Sequence, residues 1–220
     1  MEWNEIDLEQ SEQLAKMLLQ EHDFRTLMCY YHGAMMEVET KFKVLNESLN
    51  VAFDRNPIES IKCRLKDPRS IIEKLWRKNY PITLESIERH IRDVAGIRVI
   101  CAFQDDVYTL AEFLLKQDDI ELVRVKDYIK SPKANGYRSL HLIVKVPIFL
   151  ANEKRMMNVE IQLRTSAMDF WASLEHKMQY KKDLEDADAI RAELTDCATR
   201  ITELDRAMQS IRNRIDGRNT

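Results

Sequence analysis

Glycine is scarce in this sequence: four residues among 220, at Gly33, Gly96, Gly136 and Gly217. Neither G-x-G-x-x-G nor G-x-x-x-x-G-K-[ST] can be written with them, which argues against a Rossmann dinucleotide site and a P-loop. Long apolar runs are missing too, since none approaches the roughly 20 residues that a membrane span needs. The acidic N-terminus has no basic n-region of a signal peptide, so a soluble, cytoplasmic protein is expected. Cysteine is sparse, and Cys29, Cys63, Cys101 and Cys197 stand 34, 38 and 96 residues apart. That spacing fits neither a zinc knuckle nor a disulfide framework, so free thiols, mostly in the core, are expected. Charge of one sign is not in excess either: 34 Lys and Arg face 37 Asp and Glu, a net of −3.

What is present is a globular composition, 45% hydrophobic and 32% charged, in a chain long enough to bury a core as one domain with a helical appendage. The charge is unevenly placed. From Lys62 to Lys78, the bases Lys62, Arg64, Lys66, Arg69, Lys74, Arg77 and Lys78 outnumber Asp67 and Glu73, a local net of +5 that leaves −8 elsewhere. A concentrated positive segment in an acidic chain predicts a local polyanion site rather than a surface for coating DNA.

Residues 3–50 hold no proline, and Leu27, Tyr31, Ala34, Val38, Phe42, Leu45 and Leu49 recur every three or four positions. That spacing predicts helix, in two segments broken near His22-Asp23. Asn56-Pro57 breaks the pattern before a short basic helix from about Ser70 to Lys78, and Thr83 caps a further helix to about Arg92. Strands are predicted over Gly96 to Phe103, Ile120 to Ile129, Tyr137 to Val146 and Met156 to Thr165, with a helix from Asp105 to Lys116. Helix resumes from Ser166 to about Tyr180. The mixture, with some connections too short for crossover helices, predicts an α+β fold with a mixed sheet. Toward the C-terminus, Ile190, Leu194, Cys197, Ile201, Leu204, Met208, Ile211 and Ile215 alternate spacings of four and three, an a/d seam that predicts a helix pairing with another subunit.

Strand periodicity sorts the side chains that can carry chemistry. Met157, Val159, Ile161 and Leu163 share one face, leaving Asn158, Glu160, Gln162 and Arg164 opposite. In the preceding strand Arg138, Leu140, Leu142, Val144 and Val146 share the apolar face, leaving Tyr137, Ser139 and His141. Either polar face alone is an ordinary solvated surface, but two adjacent ones make a binding face. Asp93, at a helix-to-strand junction, reads alone as a cap or surface charge. Beside Glu160 it makes a pair of carboxylates, which with substrate phosphates is the usual requirement of Mg²⁺. Acids for a metal and bases for phosphates suit phosphoryl or pyrophosphoryl transfer. Lys130 and Lys133 precede Tyr137, a candidate for stacking on a base. Met168, Trp171, Glu175 and Met178 share a helical stripe, so Trp171 reads as core. His22-Asp23 has no histidine cluster to make it a metal-dependent hydrolase site.

Four blocks, NPIESIKCRLKDPRSIIEKLWRK, HIRDVAGIRVICAF, VKDYIKSPKANGYRSLHLIV and VEIQLRTSAMDFWASLEHKMQYK, resemble in order the synthetase domain of the small alarmone synthetases, relatives of the RelA/SpoT enzymes. The resemblance implies a nucleotidyltransferase-like sheet of about five strands in a synthetase domain over 51–182, preceded by a helical region over 1–50 and followed by an assembly helix over 183–220. It implies a cytoplasmic homotetramer that transfers the β,γ-pyrophosphate of ATP to the 3′-hydroxyl of GDP or GTP, with Mg²⁺, releasing AMP in a stress response. By position, Arg64 and Arg98 would sandwich adenine, Lys66, Lys74 and Arg77 would hold ATP phosphates, and Asp93 would ligate Mg²⁺. Glu160 would help hold the metal or activate the acceptor hydroxyl. Tyr137 would stack on guanine, with Lys133, His141 and Gln162 on the acceptor nucleotide, and Arg164 and Glu175 in support.

Ser60, Lys62 and Asp169 depart from the branch activated by its own product, which has an aromatic, a threonine and an asparagine there. The sequence is similar instead to the branch called RelP, and product activation is not expected. Nor is ribosome-dependent control, since the regulatory domains of long RelA/SpoT enzymes do not follow. The alternative reading keeps the fold without the chemistry, as a nucleotide or single-stranded RNA binder using Tyr137 and the lysines. RNA binding is not itself indicated.

Overall fold

The computed structural model describes residues 13–17, 20–53, 55–179 and 187–217. Five strands form one sheet in the order β1-β2-β5-β4-β3: β1 (Ile58–Leu65), β2 (Ala95–Cys101), β3 (Glu121–Asp127), β4 (Leu140–Phe149) and β5 (Lys154–Thr165). Only the β2–β5 pair is parallel, so the sheet is mixed as expected. Among the described residues, the helices with defined bounds around it are α1 (His22–Phe53), α2 (Pro68–Arg77), α3 (Leu84–His90), α4 (Gln104–Leu115), α5 (Ser166–Gln179) and α6 (Ala187–Ile215).

Helix α1 starts at the expected break and crosses the sheet, burying Phe24, Tyr31, Ala34, Val38 and Phe42 completely or nearly so. The partners are the apolar rows of the strands: Ile97 and Val99, Leu142 and Val144, Val159, Ile161 and Leu163. Helix α2 opens on Asp67, whose side chain accepts from the Arg69 N–H at 2.9 Å, with Pro68 in the first turn. It buries Ile71, Ile72 and Leu75, which leaves Lys74 and Lys78 on another face. Thr83 caps α3 as its sequence suggests, accepting from the Ser86 N–H at 3.2 Å. No described helix is long and apolar enough to cross a membrane.

Several expectations need correction. The stretch from Pro57 to Lys66 contains β1, a fifth strand that sequence periodicity does not reveal. As an edge strand it is half-covered on both sides, and Ile58, Ile61 and Leu65 do not alternate strictly. Strand β4 begins at Leu140, so Tyr137 and Ser139 stand in the loop before it. The thiols are free, but Cys29, Cys63 and Cys197 are exposed and only Cys101 is buried. The expected end of α5 at Tyr180 lies outside the described residues.

Helix α6 does not bury its predicted seam evenly. Polar anchors set its rotation: Trp171 Nε1 donates to the Leu194 carbonyl at 2.9 Å, Thr165 Oγ1 to Asp205 at 2.9 Å, and Arg212 Nη1 to buried Asp106 at 3.2 Å. Ala198 and Arg212 are therefore buried, whereas Leu204, Met208, Ile211 and Ile215 remain exposed.

Candidate active site

Strand register assembles the polar face. Arg64 pairs with Gly96, Gly96 with Glu160, Glu160 with Ile143, and Ile143 with Arg124. One step along, Lys62, Arg98, Gln162, His141 and Lys126 make a second row across all five strands. Residues that pair across a ladder share a face, so ten positions from five strands meet on one surface. Gly96 has no side chain beside Glu160, which leaves room in the floor between Arg64 and the carboxylate.

Two clefts open on this surface. The first, of about 550 Å³, is lined by Lys62, Cys63, Arg64, Lys66, Asp93, Gly96, Ile97, Arg98, Glu160 and Gln162. The second, of about 460 Å³, is lined by Lys74, Lys78, Arg89, His90, Arg92, Asp93, Arg124, Lys126, Tyr128, Lys133, His141, Ile143 and Glu160. Asp93 and Glu160 belong to both. The second cleft carries seven Lys or Arg side chains against those two acids, a surface for a polyanion.

Lys66 Nζ donates to Asp93 Oδ2 at 3.1 Å and Lys74 Nζ to Oδ1 at 2.7 Å. Burial pushes the Asp93 carboxyl up, but the Lys74 hydrogen bond and the two ammonium charges outweigh it and hold it below the usual carboxylate range. Gln162 Nε2 donates to Glu160 Oε2 at 3.0 Å, and His141 Nδ1 lies 3.5 Å from Oε1. Burial also raises Glu160, as does the Asp93 charge, yet His141 and Gln162 together lower it below its ordinary value. Both carboxyls are therefore ionised at neutral pH. Among the described residues no group of three or more His, Cys, Asp or Glu could hold a metal alone. Two ionised carboxylates on a shared wall fit a divalent cation that takes its other ligands from water and nucleotide phosphates.

The other expected residues are distributed as follows. Arg64, Lys66 and Arg98 line the first cleft; Lys74 lines the second. Arg64 and Arg98 are diagonal neighbours on one face of the β1–β2 pair. Arg77 is exposed in the last turn of α2 and lines neither cleft. Lys133, His141 and Gln162 line the clefts, but Tyr137 stands behind them. Its hydroxyl meets His141 Nε2 at 2.8 Å and accepts from Arg164 Nη2 at 2.6 Å, with Lys133 Nζ 4.6 Å from the ring centroid. Glu175, nearly buried, accepts from Asn135 Nδ2 at 3.0 Å and so braces the loop before Tyr137.

Lys78, part of the basic segment that predicted a polyanion site, lines the second cleft, whereas sequence reasoning missed Arg89, His90, Arg92, Arg124, Lys126 and Tyr128. The alternation Arg124-Val125-Lys126 is a signal that could have placed two of them on the site face. His90 depends on a contact the sequence does not announce, its ring stacked on Tyr80 at 3.8 Å.

The pattern described as the region found in RelA/SpoT proteins matches residues 63–185, more than half the chain and all of the site-bearing strands after β1. The chain belongs to the RelA/SpoT family. Within that family it is 42% identical to GTP pyrophosphokinase YwaC of Bacillus subtilis over 194 residues, 88% of this chain and 92% of that protein. It is 36% identical to GTP pyrophosphokinase YjbM of the same organism over 185 residues, 84% of this chain and 86% of that protein. Among solved structures, small alarmone synthetase 1 from Bacillus subtilis, bound to its product pppGpp, superposes with a TM-score of 0.80 at 34% identity. The match covers 89% of this chain and 99% of that one.

Proposed function

We propose that this RelA/SpoT chain is a GTP pyrophosphokinase: it transfers the β,γ-pyrophosphate of ATP to the 3′-hydroxyl of GDP or GTP and releases AMP. The observation that carries the reading is that two clefts meet at one pair of carboxylates, Asp93 and Glu160. Two nucleotides can then lie end to end, with donor phosphates and acceptor hydroxyl converging where the clefts join. The names of the relatives point to the same chemistry.

In this arrangement the first cleft takes ATP. Arg64 and Arg98 hold adenine between their guanidinium planes, and Lys66 meets the phosphates within that cleft. Lys74, from the second cleft, meets them where the clefts join at Asp93; Arg77, which lines neither cleft, reaches them only by a side-chain movement. The second cleft takes the guanosine nucleotide, with Lys133 and His141 in its lining, Gln162 in the adjoining first cleft beside Glu160, and the Tyr137 ring behind. Lys133 already lies over that ring, so stacking of guanine on Tyr137 requires the exposed Lys133 to swing aside. Asp93 and Glu160 would ligate Mg²⁺, which when bound neutralises charge on the transferring phosphates. Glu160 faces both clefts and orients the acceptor hydroxyl. The acceptor 3′-hydroxyl gives up its proton to Glu160 or to solvent, and its oxygen bonds to the β-phosphorus as the bond from that phosphorus to the α,β-bridging oxygen breaks, and AMP leaves. Charge neutralisation and in-line placement supply most of the catalysis.

The exposed stripe of Leu204, Met208, Ile211 and Ile215 supports assembly through α6, and a homotetramer in the cytoplasm is the state we assign. Incubation of the purified protein with ATP, GTP and Mg²⁺ tests the activity. AMP and a 3′-pyrophosphorylated guanosine nucleotide are expected in equal amounts; their absence would sink the proposal.

A further inference from the structure

Asp169, in the first turn of α5, is a buried carboxylate that receives three cations from three strands. Lys62 Nζ of β1 donates to Oδ2 at 3.2 Å, Arg98 Nη1 of β2 to Oδ1 at 3.3 Å, and Arg164 Nη1 of β5 to Oδ1 at 3.2 Å. The Asp169 side chain is only 11% exposed, so these contacts are little screened by solvent. Arg164 is a neighbour in sequence, but Lys62 and Arg98 lie 107 and 71 residues away, so the cluster is built by the fold.

The two arginines lead to different parts of the site. Lys62 and Arg98 line the first cleft. Arg164 does not, but its Nη2 donates to Gln162 Oε1 at 2.9 Å and to the Tyr137 hydroxyl at 2.6 Å, and Gln162 in turn donates to Glu160. A continuous hydrogen-bonded chain therefore runs from Arg98 through Asp169 and Arg164 to Gln162 and Glu160. The two guanidiniums also repel one another, since each crowds the other's charge, and Asp169 is the anion between them. Without it Arg98 would lose the one side-chain hydrogen-bond partner it has among the described residues and move away from Arg164.

We propose that Asp169 is a positioning residue that fixes Arg98 against the ATP base and, through Arg164 and Gln162, ties the donor cleft to the acceptor side. It touches no nucleotide itself and acts through the arginines. The proposal rests on the pyrophosphokinase reading for its kinetic test, and a binding measurement separates the two.

The test compares wild type, Asp169→Asn, Asp169→Glu and Asp196→Asn, the last removing the same charge from the exposed face of α6. In Asp169→Asn the KM for ATP is expected to rise about tenfold while kcat falls less than about threefold, the pattern of lost ground-state binding. The KM for GTP rises less, about threefold, because that side is reached through two intermediaries. Asp169→Glu returns the charge one methylene away and recovers most of the loss. Asp196→Asn stays at the wild-type values. The dissociation constant of a non-hydrolysable ATP analogue, measured by calorimetry on the same proteins, rises in parallel with KM. If Asp169→Asn gives no folded protein, Asp169→Glu carries the comparison with a shift of about threefold. Unchanged KM and unchanged analogue affinity, with only a lowered melting temperature, would overturn the proposal and leave Asp169 a structural residue. Wild-type protein that releases no AMP would instead fail the pyrophosphokinase reading, and the analogue affinity would still decide the role of Asp169.

Discussion

The two faces of the sheet come from the same strands and obey opposite rules. Toward α1, Ile97, Val99, Leu142, Val144, Val159, Ile161 and Leu163 are buried in one apolar cluster with Tyr31, Val38 and Phe42. Toward the clefts, the alternate residues Arg98, His141, Glu160 and Gln162 are only half-buried and are held by ion pairs and hydrogen bonds. The apolar face makes the sheet rigid at its own expense, because a residue committed to packing cannot also bind. The polar face inherits that rigidity, so its charges are placed before any nucleotide arrives, which is the condition for electrostatic catalysis.

Substitutions on the two faces should therefore separate chemistry from stability. The largest effect is expected from Glu160→Gln and Asp93→Asn, each of which should lower kcat/KM by about a thousandfold or more in steady-state assays. Their circular dichroism melts should stay near wild type. On the opposite face, Phe42→Ala should cost about 3–5 kcal/mol in denaturant unfolding, while kcat/KM measured on the folded fraction stays within about threefold of wild type. A loss of turnover in folded Phe42→Ala would mean that the division between the faces fails.

Gly136 sharpens the comparison, because it joins the acceptor loop to the α6 side. Its φ is +86°, and a Cβ there would fall 2.4 Å from the Ala198 Cβ. Gly136→Ala should therefore destabilise by about 1–3 kcal/mol. Because Lys133 and Tyr137 sit on the same loop, the KM for GTP should rise while that for ATP holds. Equal shifts in both would show that the loop serves the two clefts alike.

Much of the polar face was legible because strand periodicity is strict. The alternation in Met157 to Arg164 put Glu160 and Gln162 together without any knowledge of the fold, and Asp93 joined them through the junction it occupies. What the sequence hid was everything set by non-local geometry. β1 lacks alternation because an edge strand needs no single apolar face, so the basic segment read as loop and helix rather than strand and helix. The rotation of α6 is set by Asp205, Arg212 and the Leu194 carbonyl against distant partners, which no heptad count anticipates. The Asp169 cluster depends on three strands converging on the first turn of one helix. Tyr137 was identified as an aromatic near the site, but its place behind Lys133 follows from contacts with His141 and Arg164 that only the folded chain shows.

The meeting of two nucleotides at Asp93 and Glu160 is tested most directly with ATP carrying distinguishable labels at the α- and β-phosphates, followed with and without GTP. With GTP, the β-label is expected in the guanosine product and the α-label in AMP, one for one, and without GTP neither product should form. Release of the β-label as free phosphate or pyrophosphate at the same rate in both mixtures would contradict transfer between two bound nucleotides.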